Sequence, residues 1–309
     1  MILGLHHVTA TVDDAQEDLD CYTGALGMRL VKKTVNFDNH GVYHFYYGDE
    51  HGTPGTLFTT FPYRGHGVAI GTHGAGQIGA TSLSVPRGSL GMWRDRLREA
   101  GYSPRNIGER FGDEVVVFDD PSGLVIELIA CADDREPWVA EDLTSGSAVR
   151  GIHGVSLLVR DTGPSVSFLT DVLGWEVIGE ERGRTRLAAN GDVPGHLIDI
   201  VHAPDAPDAV NGLGTVHHVA MAVVDGEDQL TVRERLRELG VDVTPVRDRQ
   251  YFRSIYFREP GGVLYEVATL HPGFLVDEDP ESLGRDLKLP PWEESNRPAI
   301  ERGLAPVTY

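Results

Sequence analysis

Apolar and polar positions repeat along this 309-residue chain on a scale longer than any single helix or strand. Short apolar runs open at four places: LHHVTATV from Leu5, IGATSLSV from Ile78, IHGVSLLV from Ile152 and VHHVAMAV from Val216. Each has the length and β-branched content of a strand. A polar stretch, a helix-like stretch and a glycine follow each one. His7 to Gly27 spans 20 positions, Ala80 to Gly101 21, His153 to Gly174 21 and His218 to Gly240 22. Spacing this even marks an internal repeat. In MWRDRLREAG, Trp93 and Leu97 stand four apart on one helical face, and the glycine suits a left-handed helix end.

The repeats alternate in type. The first and third carry ALGMRLV and VLGWEVI after the helix; the second and fourth carry LREAG and LRELG. The second and fourth later carry DPSGLVIEL and EPGGVLYEV, which read as a Pro-Gly turn entering a strand. The pattern predicts β-α-β-β-β modules at about 1–62, 76–132, 150–203 and 213–270. One module cannot bury both its helix and its sheet face, so modules should pair. The expected class is α+β, with four modules paired into two curved mixed sheets enclosing a cavity. Residues 1–132 form an N-terminal half and 150–270 a C-terminal half, and 271–309 form an extension without a module. The extension, with Phe274, Leu275 and Trp292, should wrap the surface or cover a partner subunit.

Composition narrows the functional classes. Hydrophobic residues make up 40% and charged residues 24%, ordinary values for a globular protein. A net charge of −20 argues against nucleic acid and against anionic membrane surfaces. No apolar run approaches the roughly 18 residues of a membrane span. The start MILGLHH lacks the basic segment of an export signal, so the cytoplasm is the expected location. Two cysteines, Cys21 and Cys131, imply no disulfide framework. A homo-oligomer is the expected assembly.

The chemistry comes from histidines placed on the repeat. Strand alternation puts His7, Thr9 and Thr11 on one face, and His218, Ala220 and Ala222 on one face. In GGVLYEVATL, Leu264, Glu266 and Ala268 share a face. A carboxylate inside an apolar strand needs a cation or hydrogen bonds. Two imidazoles and a carboxylate on one side of a metal leave coordination positions open and favour non-haem Fe(II), with Mn(II) and Zn(II) also suited. The sequence leaves two triads open. One is His7, His218 and Glu266. The other takes His153, read at the same module position, with His218 and Glu266. Glu127 matches Glu266 in register, but Ala80 stands where its histidine would be, so a second, metal-free site is expected there, joined by His153.

These segments resemble the vicinal oxygen chelate superfamily, which includes glyoxalase I, bleomycin-resistance proteins and extradiol dioxygenases. The resemblance covers residues 1 to about 270. LHHVT, GTPGTLFTTFP, PRGSLGMW, GERFG, IGEE, VHHVAMAV and RQYFRSIYFREPGGVLYE resemble, within it, the hydroquinone-type ring-cleaving dioxygenases. That resemblance implies metal ligands from the first and last modules: His7, His218 and Glu266. It also implies supporting roles for His6, Thr9, His217, Arg249 and Tyr256. Strict alternation would turn His6 and His217 away from the metal.

The implied reaction cleaves a small aromatic diol with dioxygen. Tyr256 and a neighbouring histidine are the proton-transfer candidates. Arg249 would stabilise charge on the substrate, and Thr9 would orient a ligand or water. A glyoxalase-like isomerase or lyase is the alternative. It would need a fourth protein ligand, and Thr60 is read at that position. A metal-free binding protein is the third reading. The glycine-rich GTHGAGQIGA does not follow a strand and open a helix, so it is no dinucleotide site. His66 and His73 read as loop residues, and His44 in VYHFYY as a residue able to line a pocket.

Overall fold

The computed structural model describes residues 1–309. The first module runs β1 (Gly4–Val12), α1 (Ala15–Leu19), β2 (Arg29–Asn36), β3 (Asn39–Gly48) and β4 (Leu57–Pro62). The second runs β5 (Gln77–Pro86), α2 (Leu90–Glu99), β6 (Arg105–Arg110), β7 (Asp113–Asp119) and β8 (Val125–Cys131). The third runs β9 (Gly151–Val159), α3 (Thr162–Ser167), β10 (Glu176–Glu181), β11 (Arg184–Ala188) and β12 (Leu197–His202). The fourth runs β13 (Thr215–Val223), α4 (Gly226–Glu238), β14 (Arg247–Asp248), β15 (Arg253–Arg258) and β16 (Leu264–Thr269). A last helix, α5 (Arg297–Gly303), lies in the C-terminal extension.

Local chemistry sets the helix ends. Asp14, Asp161 and Asp225 accept hydrogen bonds from the first free N–H groups of α1, α3 and α4. Gly27, Gly101, Gly174 and Gly240 have φ of 64°, 90°, 76° and 74°, the left-handed conformation that ends a helix. Helices α1 and α3 are short and run on into π-helical turns, Asp20–Ala25 and Phe168–Val172.

The strands form two eight-stranded mixed sheets. One has the order β14-β15-β16-β13-β1-β4-β3-β2, the other β10-β11-β12-β9-β5-β8-β7-β6. The outer two modules share the first sheet and the inner two share the second. Each sheet therefore takes one module from each half of the sequence. At both centres the opening strands pair antiparallel, β1 with β13 and β5 with β9. Each closing strand lies parallel to its own opening strand.

One face of each sheet packs against the helices. Val8, Ala10 and Val12 of β1 and Val219, Met221 and Val223 of β13 join Leu19, Trp93, Leu169 and Leu236 in a core of 52 buried residues. Fully burying each large aliphatic or aromatic side chain contributes roughly 1.5–3 kcal/mol. The opposite face of the first sheet is lined by polar side chains and holds the site.

The C-terminal extension wraps its own chain. Phe274 and Leu283 cluster with Tyr46, Tyr251 and Phe252, and Leu289 and Ile300 cluster with Val35. Lys32, wholly buried, donates to Asp277 at 2.6 Å and to Glu278. Leu287 bridges to Lys33 of β2, so the edge strand of the first sheet is covered. The connector after the first module also pairs with the one before the fourth, through Ile70 with Leu213, Thr72 with Val210 and Ala75 with Asp208. No helix is long and apolar enough to cross a membrane.

Candidate metal centre

Register assembles the site. His7 of β1 lies opposite Ala220 of β13, and Ala220 lies opposite Glu266 of β16. Thr9 lies opposite His218. Residues paired across a sheet share a face, so three adjacent strands present His7, His218 and Glu266 on one side. The two Nε2 atoms are 3.3 Å apart. Glu266 Oε2 lies 3.4 Å from His7 Nε2 and 2.8 Å from His218 Nε2. All three side chains are buried.

Two β-bulges explain the histidine doublets. In the pairing of β1 with β13, His6 and His217 are each skipped: Leu5 pairs with Met221 and His7 with Ala220, while Thr9 pairs with His218 and Ala10 with Val216. A bulge suspends alternation and re-aims the extra side chain. His6 Nδ1 thus reaches 2.9 Å from His7 Nδ1, and His217 Nδ1 2.7 Å from His218 Nδ1. This corrects the expectation that His6 and His217 turn away. Each contact needs one donor and one acceptor. If His7 and His218 carry the proton on Nδ1, their Nε2 lone pairs are free to meet a cation. Burial, and then the imidazole next door, lowers His6 and His217 to about 3, so both are neutral at physiological pH.

The carboxylate is fixed from below. Ser254 Oγ donates to Glu266 Oε1. Oε2 is buried and accepts no hydrogen bond, despite the two imidazole nitrogens beside it. Burial pushes the carboxyl up, but His7 and His218 outweigh that and hold it well below the usual carboxylate range. Burial also lowers His218.

The remaining expected residues divide. Tyr256 pairs with Glu266 across the sheet, and its hydroxyl accepts from Arg249 Nε at 3.1 Å. The Arg249 guanidinium also donates to Asp38 at 2.9 Å. Both Arg249 and Tyr256 line the cavity above the triad. Thr9 is fully buried, and its hydroxyl bonds to Thr59 Oγ1 at 2.8 Å. The cavity of about 360 Å³ reaches the triad and is walled by Phe61, Phe252, Tyr46 and His44. That volume falls in the range of small-molecule sites, roughly 300–1,000 Å³. Ser254, Phe252 and Tyr46 were not singled out in the sequence. Ser254 carried a usable signal, since it lies two residues from Tyr256 and so on the same strand face.

The second sheet corrects the reading of His153. Ser156 pairs with Asp199 as Thr9 pairs with Thr59, Ala220 with Glu266 and Ser82 with Glu127. The equivalents of His7 and His218 are therefore Ala80 and Gly154. His153 is the bulge residue of β9, equivalent to His6 and His217, and lies in the other sheet from His218 and Glu266. The equivalents of Glu266 are Glu127 and Asp199 there, and Thr59 in the first sheet. Thr60 points to the core, where it donates to Asp18 at 2.5 Å, so Thr59 occupies the fourth-ligand position instead. Cations fill the second site. Arg110 grips Glu127 with bonds of 2.6 and 2.7 Å, and Arg186 grips Asp199 with bonds of 2.8 and 3.0 Å.

The first site fits a metal ion. Donors held about 2.0–2.2 Å from a cation at right angles stand about 3 Å apart, and the three separations here are 2.8, 3.3 and 3.4 Å. A cation would also satisfy the orphaned Oε2.

Paired β-α-β-β-β modules presenting two imidazoles and a carboxylate on one sheet face define the vicinal oxygen chelate class. A family model of the Glyoxalase/Bleomycin resistance protein/Dioxygenase superfamily matches residues 4–128 and 151–267, and the chain belongs to that superfamily. It is 36% identical over 308 residues to the chlorohydroquinone/hydroquinone 1,2-dioxygenase of Sphingobium indicum, covering 97% of this chain and 95% of that protein. It is 43% identical over 305 residues to the Bacillus subtilis protein named "Putative ring-cleaving dioxygenase MhqO", covering 98% and 96%. A Bacillus subtilis crystal structure described as a "putative dioxygenase" superposes with a TM-score of 0.94 at 42% identity, covering 99% and 98%. Glyoxalase I from Zea mays shares the fold, with a TM-score of 0.65 at 17% identity over 86% of this chain and 92% of that one.

Proposed function

We propose that the protein is a ring-cleaving dioxygenase acting on hydroquinone- or catechol-type aromatics at a mononuclear non-haem Fe(II) held by His7, His218 and Glu266. The observation that carries this reading is Glu266 Oε2: buried, without a hydrogen bond, and facing two Nε2 atoms at the end of an aromatic-walled cavity. The relatives named as ring-cleaving dioxygenases support it over nearly the whole chain. The donor set also suits Mn(II) or Zn(II).

When bound, the metal supplies Lewis acidity that ionises a coordinated hydroxyl near neutral pH, and positions at which diol and dioxygen meet. The chain's own residues do the rest. Phe61 and Phe252 give the ring an apolar wall that excludes water. His6 and His217 hold the ligand imidazoles in orientation. Burial pushes the Tyr256 hydroxyl up, so it stays protonated and can donate a proton to a developing oxyanion. Arg249 adds fixed positive charge at the same wall, where an anionic substrate is stabilised. Ring opening next to a hydroxylated carbon puts both oxygen atoms into the product.

A glyoxalase-like isomerase would use a second carboxylate opposite Glu266. Thr59 stands there, hydrogen-bonded to Thr9 and His44, which favours the dioxygenase. The test is the full chain loaded with Fe(II) under argon, then given oxygen and hydroquinone. One O₂ consumed per ring, with a ring-opened chromophore, is the expected result. Unchanged oxygen at full iron occupancy removes the assignment.

A further inference from the structure

One cavity wall carries a polar group that the proposed chemistry does not use. His44, on β3, lines the cavity with its ring held on three sides. Tyr46 lies 4.0 Å and Phe61 4.3 Å from it, centroid to centroid. Its Nε2 bonds to Thr59 Oγ1 at 3.0 Å, and Thr59 bonds to Thr9 at 2.8 Å. Thr9 and Thr59 are both fully buried. Thr59 anchors this imidazole, and Thr9 in turn anchors Thr59. Nδ1 makes no hydrogen bond and is not sealed from the cavity.

Most other polar groups lining the cavity are already engaged. Asn36 Nδ2 donates to Tyr63 at 2.9 Å, Asn211 Oδ1 accepts from Gln77 at 3.2 Å, and Arg249 serves Tyr256 and Asp38. The Tyr46 hydroxyl is also free, but Tyr46 shares the sheet row of Thr59, Thr9 and His218, on the metal side. His44 lies two residues further along β3. That strand is two strand spacings from β1, about 9.5 Å across the sheet. His44 thus lines the same cavity as His7, His218 and Glu266, from a strand on the far side of β4.

We propose that His44 is the specificity residue for para-dihydroxybenzenes, its Nδ1 hydrogen-bonding the hydroxyl on the side of the ring away from the metal. The inference rests on the dioxygenase reading for the placement of the first hydroxyl. In a catechol both hydroxyls sit at the metal edge and leave His44 unpaired. In a hydroquinone the second hydroxyl is directed away from the metal, where His44 stands. A site built to bond a hydroxyl discriminates against ligands lacking it, because the site's own polar group is left without a partner.

The test is anaerobic calorimetric titration of the Fe(II)-loaded full chain with hydroquinone and with phenol, which lacks the second hydroxyl. The wild type should bind hydroquinone roughly tenfold tighter than phenol, the worth of one well-made hydrogen bond. In His44→Leu that ratio should fall to about one, and His44→Gln should restore part of it. Thr59→Val keeps His44 but cuts its anchor, and should reduce the ratio several-fold; it carries the test if His44→Leu does not fold. A wild type without the preference, or a His44→Leu or Thr59→Val variant that keeps it in full, overturns the proposal. Oxygen uptake with hydroquinone, measured in parallel, separates the two readings. No uptake with the preference intact sinks ring cleavage alone, whereas uptake with the preference untouched by His44→Leu sinks only this inference.

Discussion

His217 Nδ1 and His218 Nδ1 lie 2.7 Å apart, although neighbours in a regular strand point to opposite faces. A bulge at His217, repeated at His6 in the partner strand, makes this possible. In the proposed metal centre the doublet would serve as a ligand and its orienting partner, built twice by the same local device.

Removing the partner should loosen the metal without removing a ligand. His217→Ala and His6→Ala are each expected to weaken divalent metal affinity by roughly 10–100-fold. Asparagine at either position, which keeps an acceptor, should recover part of the loss. Competitive Fe(II) or Mn(II) titration measures this. Affinities equal to wild type would show that the bulge histidines do not orient the ligands.

Arg249 joins Tyr256 to Asp38 across the cavity mouth. Asp38 is largely exposed, so its ion pair is worth at most about 1 kcal/mol. Asp38→Ala should change kcat/KM no more than about fivefold, with the effect shrinking at high salt. Arg249→Lys loses the planar fork that reaches both partners and should cost at least tenfold in kcat. Steady-state oxygen uptake at two ionic strengths separates the outcomes. Equal losses for the two variants would contradict this division of roles.

In the second sheet, Arg110 and Glu127 are both nearly buried. Arg110→Ala leaves a buried carboxylate unpaired and should destabilise the fold by roughly 3–5 kcal/mol. Chemical denaturation reads this directly. Metal content should stay at one ion per chain in both proteins, because Ala80 and Gly154 supply no imidazole. Two ions per chain would refute the assignment of that site as metal-free.

Asp18 sits in the core beneath the first sheet, where Tyr47 donates to it at 2.6 Å and Thr60 at 2.5 Å. Burial raises it to about 8, against the pull of those hydroxyls. The folded state thus holds a proton that the unfolded chain releases near pH 4. The contribution is full below that pH and is lost as pH rises through about 8. Buried histidines oppose this slope only below about pH 6.5, where unfolded imidazoles take up protons. Asp120, raised to about 6, has ionised by then. Stability should therefore fall between pH 6.5 and 8 by up to about 1.4 kcal/mol per unit. Asp18→Asn should flatten that limb. Melting temperature against pH checks it, and an unchanged slope in Asp18→Asn would place the titration elsewhere.

Much of the architecture was legible because it is periodic. The four strand openings and the helix-ending glycines recur at near-constant spacing, and each reflects a local conformational demand. Pairing was not legible, since β1 meets β13 through contacts that no local pattern encodes. The bulges were hidden for a related reason: one extra residue shifts every later side chain to the other face. Spacing to the next glycine therefore placed His153 beside His7, when it matches His6. The Arg110–Glu127 pair was also hidden, because its members lie on different strands. Glu266 was legible from chemistry, as a carboxylate in an apolar strand needs a positive partner.

In the proposed metal centre, His7, His218 and Glu266 together hold one metal ion facing the cavity. Anomalous diffraction at the iron edge, from crystals loaded anaerobically with Fe(II), locates that ion. A single peak per chain is expected about 2.0–2.2 Å from His7 Nε2, His218 Nε2 and Glu266 Oε2. A peak elsewhere, or none at these three atoms with iron bound in solution, would contradict it.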